Sequence, residues 1–208
     1  MKGRSQRRAT LGVVEHGNAA VFVTVAADGS LLDRRTVELT RGLPTHPYHH
    51  EGAWAVGRYL NSPWARPISL AEAISLIKTV HAAAERGARE QLDLLAREIA
   101  IPIGAIAIRA CPALPGTIEE RIADNRAQVV ADSVMYRQAL ASEAAARGWG
   151  VHWYDRDLVL RAAAAALGGV DIDAHLLAMG RAIGPPWQAK HRLAAAAALA
   201  AAGADAPG

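Results

Sequence analysis

The sequence predicts an α/β protein built on one mixed sheet that is covered by helices on both faces. Two observations lead to this expectation. Residues 11–40 contain three short strand-like segments joined by tight turns, which is typical of an antiparallel meander. Residues 69–202 then alternate between helical and strand-like segments, which is typical of parallel strands joined by crossover helices.

The meander is indicated by apolar runs and turn residues. Leu11 to Val14 is a short apolar run, and a β-branched and aromatic stretch follows it from Ala20 to Ala26. Asp28-Gly29 is a hairpin signal, because glycine accepts the positive φ that such turns require. A third and more polar strand is expected between residues 31 and 39.

A long irregular excursion is expected at residues 41–68, which contain four prolines and little periodicity. Ser69 and Glu72 then have the spacing of a capping box and predict the start of a helix. We expect a weak point in this helix at Gly87, because glycine is a poor helix former. The continuous apolar run from Ile101 to Ile108 is suited to a buried parallel strand.

The second half predicts a helix, a strand and three more helices. Asp155 and Asp171 are suitable N-cap residues, and Gly148 and Gly184 are suitable stops. The predicted elements are a helix from about Val130 to Arg147, a strand from Gly150 to Tyr154, and helices that end near Leu167, Ile183 and Ala202.

The length of 208 residues suits one domain, which we place at residues 11–202 with the 41–68 loop as an insertion. Residues 1–10 and 203–208 are expected to be disordered tails. The basic residues of the first tail have two interpretations, a solvated segment or an arm that touches phosphate.

Charge and cysteine content narrow the class of protein. Lys and Arg total 23 against 20 Asp and Glu, and the net charge of +3 is compatible with a nucleic-acid partner. Cys111 is the one cysteine, so no intramolecular disulfide can form and a reducing, cytoplasmic location is expected. No apolar window is long enough to predict a membrane span.

The densest group of ligand-type side chains is His46-Pro47-Tyr48-His49-His50-Glu51. It lacks the helical spacing of a zinc protease motif, because Pro47 interrupts it. Two interpretations stay open, a site role for His50 or Glu51 and a solvated turn.

Aromatic and basic residues alternate later in the same loop. Trp54, Tyr59 and Trp64 are interleaved with Arg58 and Arg66. This pattern suits stacking on unpaired bases with the arginines on phosphate. The alternative is that the aromatic side chains attach the loop to the body of the protein.

The first strand and the order of elements resemble the RuvC-type Holliday-junction resolvases, which have a ribonuclease-H-like fold. Their first strand ends in Asp, Pro and Gly, and Leu11-Gly12-Val13-Val14-Glu15-His16-Gly17 has the same shape with Glu15 for Asp and His16 for Pro. The second half is similar in its order of a helix ending in Arg-Gly, a short strand, two helices and an alanine-rich closing helix. The resemblance implies a ribonuclease-H-like mixed sheet.

The resemblance also implies a metal-dependent nuclease that acts on structured nucleic acid, either DNA or RNA and including branched forms. Glu15 and His191 occupy positions where the family keeps metal ligands and catalytic groups, and Asp132 borders the same edge of the sheet. His50 and Glu51 would complete a ligand set for Mg²⁺ or Mn²⁺. Such hydrolysis needs several oxygen or nitrogen ligands that converge on the ions.

The sequence departs from the family at two places. Arg109 stands where a second carboxylate is expected, and Lys190, His191 and Arg192 open the closing helix where the family has aspartates. Arg109 could pair with Glu15 or clamp a phosphate, and Lys190 and Arg192 could also contact phosphate. The alternative function is therefore a catalytically inactive module that binds nucleic acid or another protein. A homodimer is compatible with either function.

Overall fold

The computed structural model describes residues 8–50, 52 and 68–204. In this part of the chain one five-stranded sheet has the order β3-β2-β1-β4-β5. The strands are β1 (Ala9–His16), β2 (Ala19–Val25), β3 (Leu31–Glu38), β4 (Ile103–Arg109) and β5 (Gly150–Tyr154). β1, β2 and β3 form an antiparallel meander, whereas β4 is parallel to β1 and β5 is parallel to β4. The predicted mixed sheet, an antiparallel three-strand meander followed by parallel strands, is confirmed.

Helices cover both faces of the sheet, as predicted. They are α1 (Leu70–Glu98), α2 (Ile118–Ala123), α3 (Ala127–Ala146), α4 (Val159–Ala166), α5 (Ile172–Ile183) and α6 (Ala189–Ala204). Side chains alternate across a strand. Leu11 and Val13 of β1 therefore join a core with α1 and α3, whereas Val14 joins a core with α4, α5 and α6.

Close packing of α6 on β1 explains the alanine-rich sequence of the last helix. Ala194 to Ala198 are all buried, and a side chain at Gly12 would collide with the carbonyl oxygen of Ala194. Small residues on both elements allow this approach. As a result, the start of α6 lies beside the carboxyl end of the central strand.

The expectation of a weak point at Gly87 is wrong. α1 is continuous over 29 residues, and its predicted capping box is formed between Ser69 and Glu72. A side chain at Gly87 would collide with the carbonyl oxygen of Leu39, just after β3. The missing side chain at Gly87 therefore lets α1 pack closely against Leu39, and it does not interrupt the helix.

Several predicted boundaries shift. β1 begins at Ala9 and α6 extends to Ala204, so residues of both expected tails belong to regular elements. Asp155 does not cap the next helix with its side chain, because α4 begins only at Val159. Its carboxylate accepts instead from the backbone N–H of Asp157 at 2.7 Å and forms the turn before the helix. None of the described helices is long and apolar enough to cross a membrane.

The predicted ligand His191 has a structural role at the start of α6. Its Nδ1 accepts a hydrogen bond from the backbone N–H of Gln188 at 3.0 Å, and its ring stacks on Trp187. A side chain at the third helical position that accepts from the residue before the helix is half of a capping box. Burial, followed by the charge of Arg34, lowers the pKa of this imidazole.

His191 should make the stability of the protein fall at acidic pH. Because its pKa is lowered in the folded chain, the unfolded chain binds the proton more tightly below about pH 6.5. Stability is complete above that pH and is lost as the pH falls towards the folded pKa. His191→Gln keeps an acceptor and cannot titrate, so its melting temperature should fall less than that of the wild type between neutral and acidic pH. An identical fall in both proteins would show that His191 does not contribute.

Candidate anion-binding site

The carboxyl ends of β1, β4 and β5 meet at one edge of the sheet, because these three strands are parallel to one another. Glu15 lies near the end of β1, Arg109 ends β4, and Tyr154 ends β5 in register with Arg109. In open α/β sheets this edge is the usual place for a binding site.

Glu15 forms a buried ion pair with Arg137 of α3. Its Oε1 lies 2.5 Å from Nη2 of Arg137, and the two side chains are 7% and 6% exposed. The other terminal nitrogen of Arg137 donates to the carbonyl oxygen of Ala110 at 3.0 Å. A pair with Glu15 is one of the two interpretations that the sequence left open for Arg109, but Arg137 takes that position. The carboxylate charge is therefore neutralised inside the protein.

Three cationic side chains surround a cavity of about 210 Å³ next to this ion pair. They are Arg109, Arg156 and Lys190, and Glu15 and Tyr154 also line the cavity. Within the described part of the chain, none of the three cations forms an ion pair or a side-chain hydrogen bond. Since Arg137 offsets Glu15, the cavity wall carries an excess of positive charge.

Tyr154 does not offset this positive charge. Its hydroxyl donates to the carbonyl oxygen of Val13 at 3.0 Å, and burial is the main cause that raises its pKa. The charge of Glu15 raises the pKa further, so the phenol stays neutral near pH 7. The site consequently favours an anion.

A second and larger cavity of about 420 Å³ adjoins the first. Arg109, Tyr154 and Arg156 line both cavities. The remaining residues around the larger cavity are Ala110, Pro112, Val130, Ser133, Arg137, Asp155 and Asp157. Arg109 and Arg156 thus bring positive charge to both cavities.

Asp132 holds residues 46–50, here called the histidine loop, on α3 and lines neither cavity. It is 3% exposed, lies within α3, and accepts from the backbone N–H groups of Tyr48 at 2.9 Å and His49 at 3.4 Å. Nδ1 of His46 is 3.7 Å from its carboxylate. The Asp132 carboxylate thus accepts hydrogen bonds from loop amides, and its predicted catalytic role stays a prediction.

The histidine rings of the loop lie against one another. The ring of His50 is centred 5.2 Å from that of His46 and 5.0 Å from that of His49. Burial, followed by the charges of the neighbouring imidazoles, lowers the pKa of His49. Glu51, Arg58 and Arg66 lie outside the described residues, as do Trp54, Tyr59 and Trp64.

The described residues do not fit a divalent metal at this edge. Glu15 is held by Arg137, and Nδ1 of His191 accepts from the backbone N–H of Gln188 at the start of α6. Among the positions that the structure describes, no group of three or more His, Cys, Asp and Glu could hold a metal ion. A contribution from Glu51 stays a prediction.

Two of the described residues that the sequence predicted as phosphate contacts line the cavities, and a third does not. Arg109 and Lys190 line the cavities, whereas Arg192 is half-buried on α6 and lines neither. Sequence reasoning missed Arg137 and Arg156. Arg137 lies in a helix that is buried on nearly every side, so no apolar stripe marks its position.

No protein-family model and no curated protein matches the chain. Two solved structures are similar to it over most of its length. Thermus thermophilus RuvC in complex with a Holliday junction substrate is 16% identical with a TM-score of 0.47, and the match covers 93% of this chain and 91% of that one. A second Thermus thermophilus RuvC structure is 15% identical with a TM-score of 0.43 and covers 92% of each chain. The likeness concerns the fold alone.

Removing the cation of the buried ion pair should destabilise the protein strongly. Arg137→Met leaves the Glu15 carboxylate buried without a partner, which costs about 3–5 kcal/mol of unfolding free energy. The double variant Glu15→Gln/Arg137→Met should lose less unfolding free energy than Arg137→Met alone, because no buried charge is left without a partner. Urea unfolding of the three proteins measures both differences.

Arg89→Met is the matched control for this prediction. Arg89 also pairs with a glutamate, Glu143, but the Arg89 side chain is 60% exposed. Loss of this pair should therefore lower the unfolding free energy much less than loss of the buried pair. Equal losses from Arg137→Met and Arg89→Met would contradict a dominant role for the buried pair.

Proposed function

We propose that the protein binds the phosphate backbone of nucleic acid at the cationic edge of its ribonuclease-H-like sheet. The observation that carries this proposal is the set of three unpaired cations, Arg109, Arg156 and Lys190, around one cavity. Such a group attracts an anion strongly only if the nearby carboxylate is neutralised, and Arg137 neutralises Glu15. This is the module function that the sequence left open as the alternative to a nuclease.

Phosphodiester is the anion that this site suits best. Two guanidinium groups offer planar, paired donors that match the oxygens of a phosphate, and an ammonium adds a compact charge. Arg109 is half-buried at a strand end, so less side-chain freedom is lost when it binds. The net charge of +3 adds a weak long-range attraction to a polyanion.

Metal-dependent cleavage of structured nucleic acid is the second candidate function. The position of Glu15 at the end of the central strand favours it. Cleavage would require Glu15 to leave Arg137 and to gain further ligands, with Glu51 as the predicted source. Branched, single-stranded and hybrid substrates incubated with Mg²⁺ or Mn²⁺ test this. Cleavage that Glu15→Gln abolishes would favour the nuclease, and binding with no cleavage would favour the module.

Arg109→Ala should weaken binding to nucleic acid and reduce its salt dependence. A protein loses about 0.9 from the slope of log K against log salt for each phosphate contact to duplex DNA that is removed. We expect a slope that is smaller by about one in titrations of a labelled duplex at several salt concentrations.

Arg97→Ala is the control, because Arg97 is an exposed arginine in the last turn of α1 and lines neither cavity. It should leave the slope unchanged. A wild-type protein that binds no nucleic acid at low salt, or equal effects of the two variants, would contradict the proposed function.

A further inference from the structure

The larger cavity shares Arg109, Tyr154 and Arg156 with the cationic one, but its other walls differ. Ala110, Pro112 and Val130 give it an apolar side, and Ser133 gives it a hydroxyl group. Asp155 and Asp157 bring carboxylates to its rim. These carboxylates offset the charges of Arg109 and Arg156, which line the same cavity, so this space suits a second phosphate less well than the cationic cavity does.

The wall formed by α3 is a regular surface of that helix. Val130, Ser133 and Arg137 are three and then four residues apart, so they lie on the same side of α3. The ion pair with Glu15 and the hydrogen bond to the carbonyl oxygen of Ala110 fix Arg137 in place, so this wall is held rigidly before a ligand binds.

An unpaired nucleotide matches these walls. Its phosphate is an anion, its base is a flat apolar ring system, and its exocyclic amino and hydroxyl groups are donors for carboxylates. A cavity of about 420 Å³ is within the usual range for a small-molecule ligand. A base that is paired in a duplex has its donor and acceptor edge covered and remains stacked, so it would not enter.

We propose that the larger cavity binds one unpaired nucleotide of a strand whose phosphate lies among Arg109, Arg156 and Lys190. This inference rests on the proposed function and names the form of nucleic acid that the same site prefers. The base enters between Val130 and Pro112, and the carboxylates of Asp155 and Asp157 accept from its donors. The protein therefore prefers single-stranded segments to a blunt duplex.

Equilibrium binding to three labelled ligands tests this inference. They are a mixed-sequence single strand, the blunt duplex of the same sequence, and a single strand of the same length whose nucleotides all lack bases. The wild type should bind the complete single strand roughly tenfold more tightly than the strand without bases, which keeps every phosphate. A nucleoside monophosphate that competes with the strand would show that the cavity also accepts free nucleotides.

Variants that fill the cavity provide the second half of the test. Ser133→Phe should remove the preference for the complete single strand and leave binding to the duplex nearly unchanged. Lys190→Ala should weaken the binding of all three ligands by the same factor, because Lys190 lines only the smaller cavity. Thermal melting checks that Ser133→Phe is folded, and Val130→Phe fills the same space from another position on α3 if it is not.

The outcomes separate this inference from the proposed function. Equal binding of the complete strand and the strand without bases would overturn the nucleotide cavity while phosphate binding stands. A preference for the complete strand that both filling variants retain would overturn it as well. A wild-type protein that binds none of the three ligands at low salt would overturn the proposed function itself.

Discussion

The buried ion pair between Glu15 and Arg137 decides what the carboxyl edge of the sheet can bind. It places a neutralised carboxylate at the end of the central strand and joins β1 to α3 across the core. With Glu15 offset, Arg109, Arg156 and Lys190 face a shared cavity without an opposing charge. The same fold with a free glutamate would present a mixed site that suits cations as well as anions.

Close backbone approaches bring these groups to one place. Gly12 allows α6 to lie directly on β1, so that Lys190 at the start of α6 reaches the end of the first strand. Gly87 allows α1 to lie against Leu39, and the loop that follows is held on α3 by Asp132. Because α3 carries both Asp132 and Arg137, one helix positions the histidine loop and the ion pair together.

Local signals made much of the fold predictable. The capping box at Ser69 and the stop at Gly148 are chemical features of single turns, and the structure contains both. The antiparallel meander and the later parallel strands were predicted from connection lengths and apolar runs. The site was harder to predict, because the partner of Glu15 is 122 residues away in the sequence and lies on a helix without an apolar stripe. His191 and Asp132 are residue types that could bind metal, and only their hydrogen bonds show that a helix start and a loop use them.

The most direct measurement is side-chain NMR of the arginine Nε–H groups together with the backbone amides of β1, during separate titrations with a short single strand and with Mn²⁺. Because Arg137 neutralises Glu15 and the nearby cations are unpaired, we expect the oligonucleotide to shift the Arg109 and Arg156 signals. We also expect the backbone amide signals of Val14 to His16 to stay sharp when Mn²⁺ is added. Selective broadening of those amides by Mn²⁺ in the wild type but not in Glu15→Gln, with no arginine shifts from the oligonucleotide, would contradict an anion site and identify Glu15 as a metal ligand.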